Sequence, residues 1–363
     1  MGTLRLILAI SVVLTHTSYI FGFGLVGGQV AVQAFYIISG FYMALVLNEK
    51  YIGINSSYKL FISNRLLRLF PIYWVVLLIT LLSSIVAYII SSGDSFGKIQ
   101  VYFEFFDSMS VGTLLFLVFS NITLLFQDVV MFLGLDTISG NLFFTSNFKD
   151  TSPELHQFIL IPQAWTISVE IIFYLIAPFL VRKKLRLILI LILISILLRY
   201  LLTINGFSHD PWSYRFFPTE LVFFLLGIVA YHIYIKIKPL KIKNYYLYMI
   251  YAFVLLFTFS YSFIQTNLII PYLITIFLSI PFIFILSKKW KKDRYIGDLS
   301  YPIYISHMFI IYAVMYLKIP LVGGQGLVVT FITIIFSIFL NEFVAKKIEK
   351  IRQLRVKTVT NKI

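Results

Sequence analysis

Cysteine is absent from the chain, which excludes disulfides, thiol nucleophiles and thiolate metal sites. Charge is scarce: Asp, Glu, Lys and Arg make up 12% of the 363 residues, about half of what a soluble globular domain carries. Acid is the scarcer sign, with 15 Asp and Glu against 30 Lys and Arg, a net charge of +15. Neither a Gly-rich phosphate loop nor a spaced set of metal ligands occurs, so no metal is expected. The apolar N-terminal stretch runs from about residue 4 to Phe23 with no A-x-A cleavage site, and MGTLRL has Leu6 where myristoylation needs Ser or Thr.

Hydrocarbon fills the space that charge leaves. Hydrophobic residues make up 60% of the sequence, and mean hydropathy is +0.93. Apolar residues gather in long blocks such as LRLILILILISILLRYLLT and YPIYISHMFIIYAVMYL, the signature of membrane-spanning helices. The fold expected is an all-α polytopic membrane protein. Spans are expected at about 4–22, 30–47, 69–90, 163–181, 186–204, 216–235, 245–264, 268–287, 299–317 and 326–345. About ten crossings put both termini on one side of the bilayer.

The basic residues identify that side. RKKLR at 182–186, KIKPLKIK at 236–243, KKWKKDR at 288–294 and the tail KKIEKIRQLRVK follow the positive-inside pattern of cytoplasmic loops. Of the 30 Lys and Arg, only Lys98, Lys149, Arg199, Arg215 and Lys318 fall elsewhere. The charge excess therefore points to anionic lipid and not to nucleic acid. Residues 1–345 form the membrane domain in this reading, and 346–363 a basic cytoplasmic tail. The stretch 91–162 carries Asp94, Glu104, Asp107, Asp128, Asp136, Asp150 and Glu154 and reads as external. Its apolar segment TLLFLVFSNITLLF at 113–126 is too short to span comfortably, so a re-entrant segment is expected there.

Ionisable groups at membrane depth are costly and usually functional. Arg5 and His16 stand eleven positions apart on the first helix. That spacing is about three turns, so they share a face about 16 Å apart along the axis. His16 and Glu170, in AWTISVEIIFY, both fall near the expected midplane. Ser300, Tyr304 and His307 share one face of the YPIYISH helix, and Arg65 and Arg68 share one face at the start of the third span, where Pro71 suits a first turn. Each group has a structural reading as well. The arginines serve as positive-inside anchors, a membrane histidine bridges helices, Arg199 snorkels outward, and Ser39-Gly40 allow close helix packing. An unpaired buried Glu170 is the hardest to read that way.

Arg5-x10-His16, FYIISGF at 35–41, RLLRLFPIYW at 65–74, AWTISVEIIFY at 164–174 and IGDLSYPIYISH at 296–307 occur in order along nearly the whole chain. In that order they resemble the membrane-bound acyltransferase-3 family, the integral-membrane O-acyltransferases of bacterial surface polysaccharides. Leu6 stands where relatives often have Gly, and Phe35-Tyr36 where they often have Phe-Phe. The resemblance implies a multi-pass protein of the bacterial inner membrane. It implies transfer of an acyl group, acetyl by family habit, from acyl-CoA to a hydroxyl of a surface polysaccharide, glycolipid or lipid-linked saccharide. It makes His16 the catalytic candidate and places Glu170 in the same polar centre. Arg5, Arg65 and Arg68 are implicated in handling the donor.

An imidazole suits either general-base or nucleophilic duty. A carboxylate at Glu170 would orient it if the two helices touch. The rival reading is a proton-coupled transporter or a flippase of a lipid-linked saccharide, since buried His, Glu and Arg also mark proton paths. No internal repeat of the transporter kind is visible.

Overall fold

The computed structural model describes residues 1–53, 56–90, 99–264 and 267–360. Among them, nine helices are long and apolar enough to cross a membrane. In chain order the helices are α1 (Gly2–Thr15), α2 (Gly28–Glu49), α3 (Tyr58–Ile90), α4 (Ile99–Phe105), α5 (Val111–Thr123), α6 (Trp165–Leu180) and α7 (Leu185–Ile204). They continue as α8 (Phe217–Ile237), α9 (Asn244–Ser260), α10 (Ile269–Ser287), α11 (Lys291–Asp298), α12 (Ser300–Tyr316), α13 (Gln325–Leu340) and α14 (Lys346–Thr360). A two-stranded antiparallel hairpin, β1 (Leu133–Leu135) and β2 (Leu142–Phe144), is the only sheet among the described residues. The chain is a polytopic all-α membrane protein.

The buried core sits where α2, α6, α8 and α10 meet. Helices α2 and α8 approach closely because glycine faces glycine. A Cβ on Gly40 would lie 2.0 Å from the Phe224 carbonyl oxygen, and one on Gly227 would lie 2.1 Å from that of Ile37. With no hydrophobic drive between helices in lipid, such backbone approach supplies the dispersion contact that holds them. Gly40 thus has the packing role expected of Ser39-Gly40, while Ser39 turns to a polar partner.

Helix α1 stops short of the span expected at 4–22. Its 14 residues rise about 21 Å, less than the ~30 Å of a hydrocarbon core. The reason is composition: Gly22, Gly24, Gly27 and Gly28 follow in quick succession and disfavour helix. Gly22 and Gly27 take φ of 83° and 76°, conformations glycine adopts without steric cost. At its other end α1 docks on α11. Asp293 accepts from the amides of Gly2 (2.8 Å) and Thr3 (2.9 Å), satisfying amides that the first turn leaves free. The approach is tight enough that a Cβ on Gly2 would fall 1.6 Å from the Asp293 carbonyl oxygen.

Helix α3 begins at Tyr58, well before the expected 69. Arg65 and Arg68 therefore lie inside it, and Pro71 is an interior proline instead of a first-turn residue. The proline removes the amide that Leu67 would otherwise receive. Between α3 and α6, α5 is 13 residues long, about 20 Å. Its C-terminal turn docks on the middle of α3, where Trp74 Nε1 donates to the Ile122 carbonyl at 2.8 Å and the Tyr73 hydroxyl donates to that of Asn121. Leu124 and Phe126, at φ of 63° and 66°, then reverse the chain. Asp94 and Lys98, assigned to this stretch by sequence, lie outside the described residues.

One more expectation changes. Arg199 turns inward: Nη2 donates to Glu220 Oε1 at 2.7 Å and to the Thr219 carbonyl at 2.9 Å, and Nη1 donates to the Ser213 carbonyl at 2.9 Å. Glu220 is fully buried, and Gln33 of α2 donates to the same oxygen at 3.2 Å. The basic C-terminal segment folds as α14 over Lys346–Thr360. It continues α13 through a π-helical turn at Asn341–Ala345 and packs along α3.

Candidate active site

The basic end of the bundle opens into a vestibule of about 770 Å³. Eight basic side chains line it against three acidic ones, Asp293, Asp298 and Glu349. Arg5 comes from α1, and Arg65 and Arg68 come from α3 one turn apart. Lys50 follows the end of α2, Lys288 the end of α10, Arg294 lies on α11, and Lys346 and Arg352 lie on α14. Neither Arg5 nor Arg68 forms an ion pair among the described residues. Arg65 is 4% exposed, its Nε lacks a partner, and its guanidinium stands 5.7 Å over the Phe61 ring. Guanidinium donors with unmet capacity, gathered in a cavity, favour a polyanionic ligand.

Arg5, Tyr42, Arg68 and Tyr301 also line a second, deeper cavity of about 110 Å³. These four side chains form the boundary between the two spaces. Tyr301 is held there by a 2.8 Å hydrogen bond to the Leu69 carbonyl. The remaining walls include Ser39, Thr166, Glu170, Tyr174, Ser300 and Tyr304. Glu170 Oε1 accepts from Ser39 Oγ at 2.5 Å and from the Tyr174 hydroxyl at 2.6 Å. Its carboxylate is thus bound within the inner cavity by Ser39 and Tyr174 and forms no hydrogen bond to His16 among the described residues. The Glu170–His16 contact expected from sequence is not formed, because α6 presents Glu170 to α2.

The α12 face expected from sequence is real and functions as a column. Ser300 Oγ donates to the Gly297 carbonyl at 2.9 Å. The Tyr304 hydroxyl donates to the Gln163 carbonyl at 3.0 Å and lies 2.7 Å from Thr166 Oγ1. Nδ1 of His307 is 2.7 Å from the Tyr304 carbonyl. A carbonyl only accepts, so Nδ1 carries the proton, and in the neutral ring Nε2 keeps its lone pair. His307 is fully buried and Nε2 has no partner.

His16 completes the column. It caps the C-terminus of α1, its side chain is exposed, and it lies beside the middle of α12. Its ring stacks on His307 with centroids 5.3 Å apart and planes 28° apart. Tyr304 lines the inner cavity and also packs edge-on against His307, at 6.0 Å. A path of named side chains therefore runs from the basic vestibule, past Arg5 and Arg68, along Glu170 and Ser300, to Tyr304, His307 and the exposed His16.

Sequence reasoning missed Tyr42, Tyr301 and Arg352 on this path, and it missed the Glu220–Arg199–Gln33 cluster beside it. Glu220 had a visible signal, a carboxylate within FPTELVFF. Among the described residues no group of three or more His, Cys, Asp or Glu could hold a metal ion. Comparison with curated proteins and with solved structures returns no match. The chain belongs to the family described as the acyltransferase domain, acyltransferase-3, whose model matches residues 2–342.

Proposed function

We propose that this membrane acyltransferase takes its acyl group from acyl-CoA at the basic end and delivers it to a saccharide hydroxyl at the opposite end. The positive-inside rule makes the basic end cytoplasmic, where acyl-CoA resides. The saccharide acceptor and the bacterial inner membrane come from the family resemblance. The observation that carries the reading is the series of contacts from the arginine-lined vestibule through the inner cavity to Tyr304, and from Tyr304 by ring packing to His307 and His16.

Arg5, Arg65 and Arg68 take the pyrophosphate of coenzyme A, and the pantetheine arm enters the inner cavity. That cavity, at about 110 Å³, suits an acetyl group better than a long acyl chain. Glu170 orients polar groups along the arm, and the acyl carbon passes Tyr304 to reach His16. There the imidazole acts as base: it takes the proton of the acceptor hydroxyl, the hydroxyl oxygen bonds to the acyl carbon, and the carbon–sulfur bond breaks. The thiolate of coenzyme A then recovers a proton. In the nucleophilic variant His16 attacks the thioester and the carbon–sulfur bond breaks, releasing the thiolate; the acceptor hydroxyl then attacks the acyl-imidazole, which leaves as imidazole while the hydroxyl proton passes to the thiolate. His307, held by the Tyr304 carbonyl, backs the His16 ring.

The test is thiol release from acetyl-CoA by the purified protein in detergent, with and without a glycan acceptor. His16→Ala should abolish transfer while the thermal transition and helical signal stay as in the wild type. Near-normal activity in that variant would remove the central residue from the scheme. Radiolabelled acetyl retained on the wild type after rapid quenching would favour the nucleophilic variant over the base.

A further inference from the structure

Helix α14 begins at Lys346, beyond the 2–342 stretch that the family model matches, yet it forms a wall of the vestibule. Lys346, Glu349, Arg352 and Gln353 line that space, and their three- and four-residue spacing puts them on one helical face. The helix is strapped in place at several points. Arg352 Nε donates to the Asn64 carbonyl at 2.8 Å. Arg355 donates to Asn64 Oδ1 at 3.0 Å and to Ser63 Oγ at 2.8 Å. Lys50 Nζ donates to Gln353 Oε1 at 2.9 Å. These straps hold α14 against the turn of α3 that carries Arg65.

Arg352 is 8% exposed, an unusual burial for a guanidinium. It pairs with Glu349, and its Nη2 has no hydrogen-bond partner among the described residues. None of the described α14 residues lines the inner cavity. Of the eight vestibule cations, Arg5 and Arg68 also line the inner cavity, whereas Lys50, Lys346 and Arg352 are among the six that line the vestibule alone. Coenzyme A has the same order. Its thioester arm leads inward, the pyrophosphate follows, and the 3′-phosphate on the adenosine comes last.

We propose that α14 is part of the donor site and that Arg352, with Lys346 and Lys50, receives the 3′-phosphate of coenzyme A. This rests on the acyl-CoA reading above. Binding measurements on the full chain in detergent, by calorimetry with coenzyme A and with 3′-dephospho-coenzyme A, test it without any acyl transfer. The wild type should bind coenzyme A at least about tenfold more tightly than the dephospho form, the effect of one charge-assisted contact. Arg352→Gln should reduce that ratio to about threefold or less and leave the dephospho-coenzyme A affinity unchanged, with Arg352→Lys restoring part of it. Lys346→Gln, at a half-exposed position whose loss does not threaten folding, should narrow the ratio in the same sense. Arg65→Ala should weaken both ligands together. An unchanged ratio in Arg352→Gln and Lys346→Gln, or an equal loss for both ligands, would overturn the assignment while leaving acyl-CoA as donor. A wild type that binds neither ligand would overturn the acyl-CoA reading itself, and the assignment with it.

Discussion

Replacing Arg199 by leucine strands a carboxylate. Glu220 is fully buried and has two partners, Arg199 at 2.7 Å and Gln33 at 3.2 Å. Without the guanidinium it keeps a single neutral donor, and its Oε2 is already without one. Breaking a buried ion pair from one side costs about 3–5 kcal/mol, because the remaining charge stays desolvated. The reverse substitution, Glu220→Leu, should cost less, about 1–3 kcal/mol. Arg199 then still has the Ser213 and Thr219 carbonyls at 2.9 Å, and its side chain is 28% exposed. The double variant should lie within about 1–2 kcal/mol of the wild type, since apolar replacement of a whole buried pair is often neutral. Equilibrium unfolding of all four proteins in one detergent gives the cycle. The reasoning fails if the two single substitutions cost the same and simply add.

Three further outcomes follow from the vestibule, the helix contacts and the histidine stack. Arg65→Ala with Arg68→Ala should raise KM for acyl-CoA with a smaller change in kcat, and wild-type KM should rise with salt as the vestibule is screened; a change confined to protein abundance would support the anchor reading. Gly40→Ala should destabilise by about 1–3 kcal/mol in thermal or denaturant unfolding, because its Cβ would sit 2.0 Å from a carbonyl oxygen and force α2 from α8. His307→Phe should keep most thiol-release activity by preserving the stack on His16, whereas His307→Ala should lose it; an inactive Phe variant would mean that the imidazole itself acts in the chemistry.

Most of the helical scaffold was legible because each crossing is a long apolar run, and the nine long apolar helices among the described residues differ from the ten expected crossings chiefly at α1. Helix ends were less legible. YKLFISNRLLRL reads as interfacial by charge yet continues α3, because its arginines and asparagine find partners or a cavity inside the bundle. The site residues were legible individually: Arg5, Arg65, Arg68, Glu170, Ser300, Tyr304 and His307 all fall along one path with His16. Their pairing was not legible. Spacing along one helix fixes which residues share a face, but it says nothing about which neighbour that face meets. Glu170 therefore meets Ser39 and Tyr174, while His16 meets His307. Glu220 escaped notice because an acid in a helix's first turn after proline looks like a solvated cap, and its burial depends on Arg199 reaching over from the preceding helix.

The abrupt end of the first helix has a cost for the chemistry. In the proposed scheme an exposed imidazole at that helix end would meet water as readily as an acceptor, and water hydrolyses activated acyl groups. Thiol release from acyl-CoA with no acceptor present would measure that loss.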